Sequence, residues 1–338
     1  MTSSTPPVPS PDLTPGGALA SLRDRVAAEV AKVIVGQDEV VDLLLAAAVV
    51  GGHVLLEGVP GVAKTLMARA WSAALGLDFR RVQFTPDMLP SDLSGTVTLR
   101  LDPANPGGGG GRQDLAFRPG PVFTNVLLAD EINRTPPKTQ AALLEAMQEA
   151  QVSVDGVSHP LPQPFLVVAT QNPIEYEGTY PLPEAQLDRF LLKVDVGYPT
   201  AAEEEAILRL GHRGVTPATL DDVQVAASAA DIAAAQAEVD ATAVADEVSA
   251  YVVAVVRRTR ELPSVGLGAS PRAAVHLLAA AKAAARLRRR GFVTPDDVAA
   301  MAPPVLRHRL VLRPEAELER YRPDDAVAAA LASVPVPR

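Results

Sequence analysis

The sequence contains no cysteine among its 338 residues, which excludes a disulfide framework, thiol catalysis and cysteine-ligated metal sites. Aromatic residues make up only 4% of the chain and hydrophobic residues 48%, so the apolar mass is mostly Ala, Val and Leu, which suggests closely packed helices. The formal net charge of −9 argues against general nucleic-acid binding, which needs a basic face. The five histidines lack the spacing of metal ligands, and a transition-metal enzyme is therefore not expected.

Long hydrophobic runs are also absent. The longest apolar stretch, residues 40–56, contains Asp42 and a Gly51-Gly52 break, so we expect a helix and a strand there rather than a membrane span. Residues 1–17 are rich in Ser, Thr, Pro and Gly and lack the basic and apolar regions of a secretory signal. We therefore expect a disordered tail over 1–17 and a cytoplasmic protein.

The pattern of apolar residues predicts two domains. Short apolar runs alternate with helical periodicity over residues 18–198, which predicts a parallel sheet with helices on both faces. Thr200 and Glu203 then form a predicted capping box, and from there to the C-terminus the pattern indicates helices alone. The expected fold class is α/β, with an αβα core over 18–198 followed by an all-α domain over 199–338.

Two hairpins are expected inside the core. Residues 103–112 include five consecutive glycines and predict a flexible loop, for which a hairpin tip is the best setting. Asp155-Gly156 is a hairpin turn signal, flanked by strand-like residues 152–154 and by the segment from Leu161 onward.

The segment from Gly58 to Leu66 carries the strongest functional signal. A short apolar strand, residues 53–57, precedes a glycine-rich turn, and a helical pattern follows Lys64-Thr65. In this setting backbone N–H groups and the helix N-terminus face phosphates, Lys64 neutralises the β and γ oxygens, and the Thr65 hydroxyl ligates Mg²⁺. The residues expected to hold the nucleotide in this P-loop are Gly58, Val59, Pro60, Gly61, Val62, Ala63, Lys64, Thr65 and Leu66.

One position of the P-loop departs from the usual pattern. Ala63 replaces the glycine that ordinarily precedes the lysine. Alanine is tolerable there only at an ordinary negative φ, and we therefore expect that backbone conformation at Ala63.

A carboxylate pair follows the apolar strand predicted at residues 125–129. Asp130 would hold Mg²⁺ through its water shell, and Glu131 would polarise the attacking water as general base. A plain surface acidic pair is the alternative, which the P-loop earlier in the chain makes less favoured. Farther on, Thr135 is expected to cap a helix that has Pro136 at its first position.

Three further residues carry weaker signals. Asn172 follows the strand predicted at 165–170 and could bond the γ-phosphate and the lytic water, although an Asn that turns the chain before proline is common. Arg189 could reach a neighbouring subunit's γ-phosphate, and a surface salt bridge is the plainer interpretation. Arg272 lies in the first turn of a predicted helix and could contact phosphate, with a solvated arginine as an equal alternative.

An arginine-rich segment could be interpreted as a nucleic-acid-binding site. Arg286 and residues 288–290 lie at the end of a predicted helix, just before Gly291. We interpret them instead as cations that complement the dipole at a helix C-terminus.

Together these residues resemble the AAA+ ATPases, and within them the MoxR family, over about residues 20–310. The order of the segments and their residue identities are specific to that family, and even Ala63 matches its form of the P-loop. Six segments carry the resemblance: Val35-Gly36-Gln37, Gly58-Val59-Pro60-Gly61-Val62-Ala63-Lys64-Thr65, Leu128-Ala129-Asp130-Glu131-Ile132-Asn133-Arg134, Ala169-Thr170-Gln171-Asn172-Pro173, Leu187-Asp188-Arg189-Phe190 and Gly268-Ala269-Ser270-Pro271-Arg272.

The resemblance implies roles for individual residues, with ATP and Mg²⁺ as cofactors. It places Val35 and Gly36 in the adenine pocket and makes Asn172 sensor 1. It makes Arg189 the arginine finger and Arg272 sensor 2, and it implies that the all-α domain is the lid of the AAA+ core.

The resemblance also implies an assembly. Residues 86–120 look like the helix-2 insert and residues 150–164 like the hairpin before sensor 1, and both normally face the central pore of a ring, usually a hexamer of identical subunits. Hydrolysis would then depend on assembly, since Arg189 would complete the site of the next subunit.

Members of this family are regarded as chaperone-like ATPases that mature or activate partner proteins, often with a von Willebrand factor A domain protein. We therefore expect Mg²⁺-dependent ATP hydrolysis by a ring that acts on a client protein. The von Willebrand factor A domain would be supplied by a separate polypeptide.

Three alternatives stay open. A motor that acts on DNA would favour a basic pore loop, whereas residues 86–120 contain only Arg100, Arg112 and Arg118. A magnesium-chelatase-like motor subunit would show hydrolysis stimulated by a porphyrin-binding partner. A nucleotide-dependent switch module without turnover is disfavoured by the intact Glu131.

Overall fold

The computed structural model describes residues 17–59, 61–100, 114–172, 179–210 and 220–337. The expectations for the tail before Gly17 and for the five-glycine segment lie outside the described residues. The chain divides into two compact units, Val26–Ala226 and the combination of Met1–Arg25 with Ala227–Arg338.

The elements up to the end of the first unit alternate between helices and strands. They are α1 (Ala18–Val30), α2 (Asp38–Val49), β1 (Val54–Gly58), α3 (Lys64–Ala74), β2 (Phe79–Gln83), α4 (Pro90–Ser94), β3 (Gly95–Arg100), β4 (Asp114–Pro119), β5 (Val126–Asp130), α5 (Pro137–Glu149), β6 (Gln151–Val154), β7 (Val157–Pro160), β8 (Leu166–Gln171), α6 (Glu184–Leu187), β9 (Leu192–Val196) and α7 (Ala201–Arg209).

Five of these strands form one parallel sheet in the order β2-β5-β8-β1-β9. The central strands β1, β5 and β8 are buried on both faces, as their unbroken apolar runs predict. On one face, Leu55, Leu127 and Val167 pack with Leu144 and other apolar residues of α5 in a single core cluster. The parallel α/β class expected from the sequence is confirmed.

Both hairpins form. β3 pairs with β4 and β6 with β7, each antiparallel. Asp155 and Gly156 have φ of 49° and 80°, the pair of positive values that a tight two-residue hairpin turn needs. The return strand therefore starts at Val157, earlier than the segment from Leu161 that the sequence suggested.

The start of α5 differs from the expectation by one residue. α5 begins at Pro137, and Pro136 is its N-cap in an extended conformation with φ −60° and ψ 153°. The reason is the second proline, because a residue that precedes proline is sterically kept out of the helical region. The expectation that Thr135 caps this helix is therefore wrong, and Thr135 is buried instead.

The first unit continues past residue 198, where the sequence suggested the domain boundary. The backbone N–H of Ala226 donates to the carbonyl of Ala74 at 2.7 Å, and the N–H of Gln224 donates to the carboxylate of Glu29 at 2.8 Å. These bonds tie residues 220–226 to the first unit.

The second unit is almost entirely helical, as expected. Its elements after the first unit are α8 (Ala229–Asp240), α9 (Asp246–Thr259), β10 (Val265–Leu267), α10 (Pro271–Leu287), α11 (Pro295–Leu306), β11 (Val311–Leu312), α12 (Pro314–Leu318) and α13 (Pro323–Ser333). The pairing of β10 with β11 was not anticipated, because strands of two and three residues are too short to show an alternating pattern. Within the described residues, no helix is long and apolar enough to cross a membrane.

A buried histidine joins three elements of the first unit. His53, which lies just before β1, is only 6% exposed. Its Nδ1 accepts a hydrogen bond from the N–H of Val167 at 3.0 Å, and its Nε2 lies 3.0 Å from the carbonyl oxygen of Met147. Both contacts are satisfied by a neutral imidazole with its proton on Nε2. Burial lowers the pKa of His53 to about 4.

This burial predicts a dependence of stability on pH. Because the folded-state pKa of His53 lies below its ordinary value of 6.5, the unfolded chain takes up a proton at a higher pH than the folded one. The free energy of unfolding should fall by about 1.4 kcal/mol per pH unit as the pH drops from about 6.5 toward about 4. Urea unfolding at a series of pH values would measure this slope.

The matched comparison uses two substitutions. His53→Gln should lower stability at neutral pH and remove the added slope, whereas His159→Gln, at a half-buried histidine on β7, should keep the wild-type slope. An unchanged slope in His53→Gln would contradict a neutral buried imidazole.

Candidate active site

Three neighbouring strands end at the same edge of the sheet. β1 leads into the P-loop, β5 ends at Asp130, and β8 ends at Gln171. β8 lies between β5 and β1, and parallel strands place their carboxyl ends together, where ligands of open α/β sheets bind. The topology therefore brings three distant segments of the chain to one place.

A cavity of about 440 Å³ opens at this edge. Its walls come from the P-loop and α3, from the end of β5 and from the end of β8. The lining residues are Gly61, Val62, Ala63, Lys64, Thr65, Leu66, Asp130, Glu131, Thr170, Gln171 and Asn172. Gly58 and Val59 lead into the loop, and Pro60 lies outside the described residues.

The P-loop backbone is tightly constrained at its start. A Cβ atom on Gly58 would lie 2.4 Å from the carbonyl oxygen of Val196 in β9, so only glycine fits this approach of β1 and β9. The Nζ of Lys64 donates to the carbonyl oxygen of Gly58 and, at 3.3 Å, to that of Val59. Lys64 thus folds back onto its own loop at the opening of the cavity.

The charge state of Lys64 is set by opposing influences. Burial lowers its pKa, whereas the negative charges of Asp130, Glu131 and Glu57 raise it, and the net direction is downward. A half-buried cation beside two carboxylates is an arrangement that an anionic ligand would complement.

Ala63 adopts the conformation that the sequence argument excluded. It is the N-cap of α3 with φ 59° and ψ 24°, in the left-handed region. The expectation of a negative φ is therefore wrong. The chain reverses into α3 through this residue, and a positive φ in an alanine costs about 1 kcal/mol relative to glycine.

Asp130 is held by partners on both sides. Its Oδ1 accepts a hydrogen bond from the Thr170 hydroxyl at 2.6 Å. Its Oδ2 accepts from Nη2 and Nε of Arg81 at 2.6 Å and 2.9 Å. The carboxylate is therefore fixed at the cavity wall, between β8 and the edge strand β2.

Glu131 is likewise fixed, in a strained backbone. Its φ of 57° and ψ of 51° lie in the left-handed region, a strain that concentrates at functional sites. The N–H of Glu131 donates to the Thr170 hydroxyl at 2.9 Å. Its Oε2 accepts from Nε2 of Gln83 at 2.7 Å and from Nη1 of Arg134 at 3.0 Å.

Four of these partners were not predicted from the sequence: Arg81, Gln83, Arg134 and Thr170. Thr170 stands one residue before Gln171-Asn172, and Arg134 three residues after Glu131, so both lie within segments already singled out. Arg81 and Gln83 alternate along a predicted strand and therefore share one face, but only the sheet order shows that β2 lies beside β5.

A small apolar recess lies behind the P-loop. It is lined by Ile34, Gln37, Val40, Leu56, Val62, Ala63, Lys64, Met67 and Val196. Ile34 and Gln37 flank Val35 and Gly36, which themselves do not line it. Gly36 has φ 73°, and a Cβ there would overlap the carboxylate of Glu203 in α7. The assignment of Val35 and Gly36 to an adenine pocket stays a prediction.

Comparison with known proteins agrees with this geometry. The family model "ATPase family associated with various cellular activities (AAA)" matches residues 53–192, and the AAA lid domain model matches residues 257–330. The chain is 44% identical to the chaperone MoxR1 of Mycobacterium tuberculosis over 344 residues, covering 98% of this chain and 88% of the relative. The chain belongs to the MoxR family of AAA+ ATPases.

Two further matches cover most of the chain. The uncharacterised protein YeaC of Bacillus subtilis is 47% identical over 306 residues, which span 90% of this chain and 92% of the relative. The crystal structure of a candidate ATPase from Cytophaga hutchinsonii superposes with a TM-score of 0.84 and 39% identity, covering 95% of this chain and 97% of that one. The family and the αβα-plus-lid architecture expected from the sequence are thus confirmed.

Arg189, the arginine finger that the MoxR resemblance implies, lies outside the cavity wall. It follows α6 and precedes Phe190, which is fully buried. Within the described part of the chain, its half-buried guanidinium forms no hydrogen bond or ion pair. The position of Arg189 thus leaves its role as arginine finger a prediction.

Arg272, the implied sensor 2, is an exposed residue in the first turn of α10 in the second unit. Ser270 is the N-cap of that helix and Pro271 occupies its first position, so Arg272 lies in the first turn as predicted. The catalytic role of Arg272 stays a prediction.

The arginines at the end of α10 form ion pairs with acidic residues of the second unit. Asp297 is fully buried and accepts from Arg288 at 2.5 Å and from Arg290 at 2.5 Å and 2.6 Å. Burial would raise the pKa of Asp297, but the hydrogen bonds from Arg290, Thr294 and Arg288 hold it below its ordinary value. Arg289 pairs with Asp24 at 2.7 Å. The cluster ties the second unit together, which refines its interpretation as dipole-complementing cations.

The left-handed conformation of Ala63 predicts an unusual result. Ala63→Gly should leave the free energy of unfolding unchanged or raise it by up to about 1 kcal/mol, since glycine adopts positive φ without strain. The matched substitution Ala68→Gly, inside α3, should lower it by about 1 kcal/mol or more. Urea unfolding of both variants measures the difference, and equal losses would contradict the strained alanine.

Proposed function

We propose that this protein hydrolyses ATP in a Mg²⁺-dependent reaction at the cavity above the P-loop, and that it does so as a ring-forming, chaperone-like member of the MoxR family. The observation that supports this most is the shared wall of the cavity. Lys64 and Thr65, the carboxylates of Asp130 and Glu131, and the amide of Asn172 all line it. An anion cradle, a metal-binding carboxylate and a general base are the parts that ATP hydrolysis requires.

Each residue of the cavity has a proposed task. The backbone N–H groups that open α3 and the Lys64 ammonium bind the β and γ phosphates. Glu131 accepts the proton of the attacking water. Asn172 orients that water and senses the γ-phosphate.

The residues suit Mg²⁺. The Thr65 hydroxyl and the Asp130 carboxylate are hard oxygen donors, and Mg²⁺ is usually bound by one or two such groups together with substrate phosphates. Among the described residues there is no cluster of three or more His, Cys, Asp or Glu side chains that would form a complete metal cage. Mg²⁺ bound with ATP supplies positive charge that stabilises the negative charge developing on the phosphates.

A ring is proposed from the position of Arg189, the implied arginine finger. Arg189 does not line the cavity of its own subunit, so its guanidinium would complete the site of a neighbour. An arginine that enters from another subunit stabilises transition-state charge and makes hydrolysis depend on assembly. Arg272 is proposed to sense the γ-phosphate from the lid.

The chaperone-like role is proposed from the relatives. The Mycobacterium tuberculosis relative carries the name chaperone MoxR1. By that similarity we propose that hydrolysis drives the maturation or activation of a client protein, with a von Willebrand factor A domain protein as the second partner.

The proposal is tested by the ATPase activity per subunit as a function of protein concentration, with particle size measured with and without ATP. Activity that rises steeply with concentration as the particle grows supports shared sites. Concentration-independent activity from a monomer would refute the ring.

Glu131→Gln should bind ATP with nearly wild-type affinity and lose at least about 100-fold in turnover, since the amide cannot accept the proton of the attacking water. Equilibrium nucleotide binding and single-turnover hydrolysis, measured on the same preparation, separate the two effects. Wild-type turnover in this variant would exclude Glu131 as the base.

Arg189→Ala should retain ATP binding and lose hydrolysis by about 1000-fold, the scale on which arginine fingers act. Lys64→Ala should fail to bind ATP but keep its own Arg189. Mixing the two inactive variants should restore part of the activity, because mixed rings contain interfaces with an intact cavity and an intact finger. Absence of any rescue in co-assembled particles would contradict sites shared between subunits.

A further inference from the structure

A continuous set of polar contacts connects the two carboxylates of the cavity through β2. We call it the β2 network, and it consists of Arg81, Gln83, Asp130, Glu131, Arg134 and Thr170. Nη2 of Arg81 donates both to Asp130 Oδ2 and to Oε1 of Gln83, each at 2.6 Å. Gln83 in turn donates to Glu131 at 2.7 Å. The network thus runs from one carboxylate to the other without passing through the P-loop.

The position of Arg81 follows from the strand register. β2 pairs in parallel with β5, so that Arg81 lies opposite Leu128 and Gln83 opposite Asp130. Arg81 and Gln83 alternate along the strand and extend from the same face, while Val82 between them is buried on the other face. β2 is the outer strand of the sheet, which leaves the long side chain of Arg81 free to reach along the strand ends to Asp130.

Arg81 contacts the Asp130 carboxylate, which is the group proposed to bind Mg²⁺. Thr170 takes Oδ1 of Asp130 and Arg81 takes Oδ2 with two donors. The Asp130 side chain is only 13% exposed, whereas that of Arg81 is 47% exposed. The carboxylate is therefore anchored in the site, and the guanidinium is the member of the pair that is able to swing out into solvent.

The Arg81 guanidinium and a hydrated Mg²⁺ ion would compete for the negative charge of Asp130. A guanidinium beside a carboxylate neutralises it and repels an approaching divalent cation. Because the pair is partly exposed, its strength is modest, about 1 kcal/mol or less, which corresponds to a factor of up to about five in an equilibrium constant.

We propose that Arg81 is a positioning residue that holds Asp130 in the metal-free site and competes with Mg²⁺ for it, so that Arg81 sets how strongly Mg²⁺ enhances nucleotide binding. Its release frees Oδ2 of Asp130 and, through Gln83, loosens the hold on Glu131. This inference rests on the proposed ATPase site and names a residue that regulates the loading of that site.

The test measures nucleotide affinity rather than turnover. Trp71 is the sole tryptophan of the chain and is fully buried on α3, two turns after Lys64, so its fluorescence reports on the P-loop helix without background. The full-length protein is titrated with a non-hydrolysable ATP analogue in excess Mg²⁺ and in EDTA. The measured quantity is the ratio of the two dissociation constants, in which a general effect of charge on ATP binding cancels.

Arg81→Met should increase the enhancement by Mg²⁺ by up to about fivefold over wild type, since the competing charge is gone. Arg81→Lys keeps the charge but loses the paired donors of the guanidinium, so it should change the ratio less than Arg81→Met does. The matched control is Arg80→Met, a substitution of the same kind at the adjacent exposed residue on the opposite face of β2, and it should leave the ratio unchanged.

A double substitution separates competition from a general disturbance of the site. In an Asp130→Asn background, which lacks the carboxylate that Arg81 contacts, Arg81→Met should no longer change the ratio. Circular dichroism and the urea midpoint of each variant establish that it is folded.

Two results would overturn the proposal. One is a ratio that is unchanged or lower in folded Arg81→Met, and the other is an effect of Arg81→Met that persists in the Asp130→Asn background. A failure of the proposed ATPase site looks different, because the wild-type protein would then bind the analogue neither in Mg²⁺ nor in EDTA.

Discussion

The site depends on one constraint, the parallel pairing of β1, β8 and β5 at the centre of the sheet. Residues that are far apart in sequence, Lys64, Asp130 and Asn172, reach one cavity only because these strands end at the same edge. Buried apolar side chains on both faces hold the strands in register. A shift of the register by one residue would send the side chains at the strand ends to the opposite faces of the sheet. The packing of apolar side chains in the sheet therefore positions the polar side chains of the cavity.

Two of the non-glycine residues with a left-handed backbone lie next to that edge. Ala63 and Glu131 both adopt left-handed conformations, and Gly58 permits an approach that a side chain would block. Such strain persists only where surrounding contacts over-determine it. Around Glu131 those contacts are the bonds to Thr170, Gln83 and Arg134. The carboxylate of Glu131, the proposed general base, is therefore held in place by residues of its own chain.

The arginines divide into distinct groups despite the acidic composition of the chain. Arg288 and Arg290 neutralise the buried Asp297 and stabilise the second unit. Arg81 and Arg134 contact the carboxylates of the cavity. Among the described residues, the guanidinium of Arg189 has neither kind of partner. Charge placement, rather than net charge, thus distinguishes arginines that stabilise the fold from those that act in the proposed chemistry.

The sequence by itself determined the parallel α/β core, the helical lid, the P-loop and the carboxylate pair, because these follow from local periodicity and from residue types at fixed short spacings. It was wrong at Ala63, where the backbone conformation depends on the path of the chain. It was also wrong at the start of α5, where Pro137 keeps Pro136 out of the helical region. Only the tertiary structure placed β2 beside β5 and so revealed Arg81 and Gln83 as partners of the carboxylates. Strand order is set by packing between distant segments, and no local pattern encodes it.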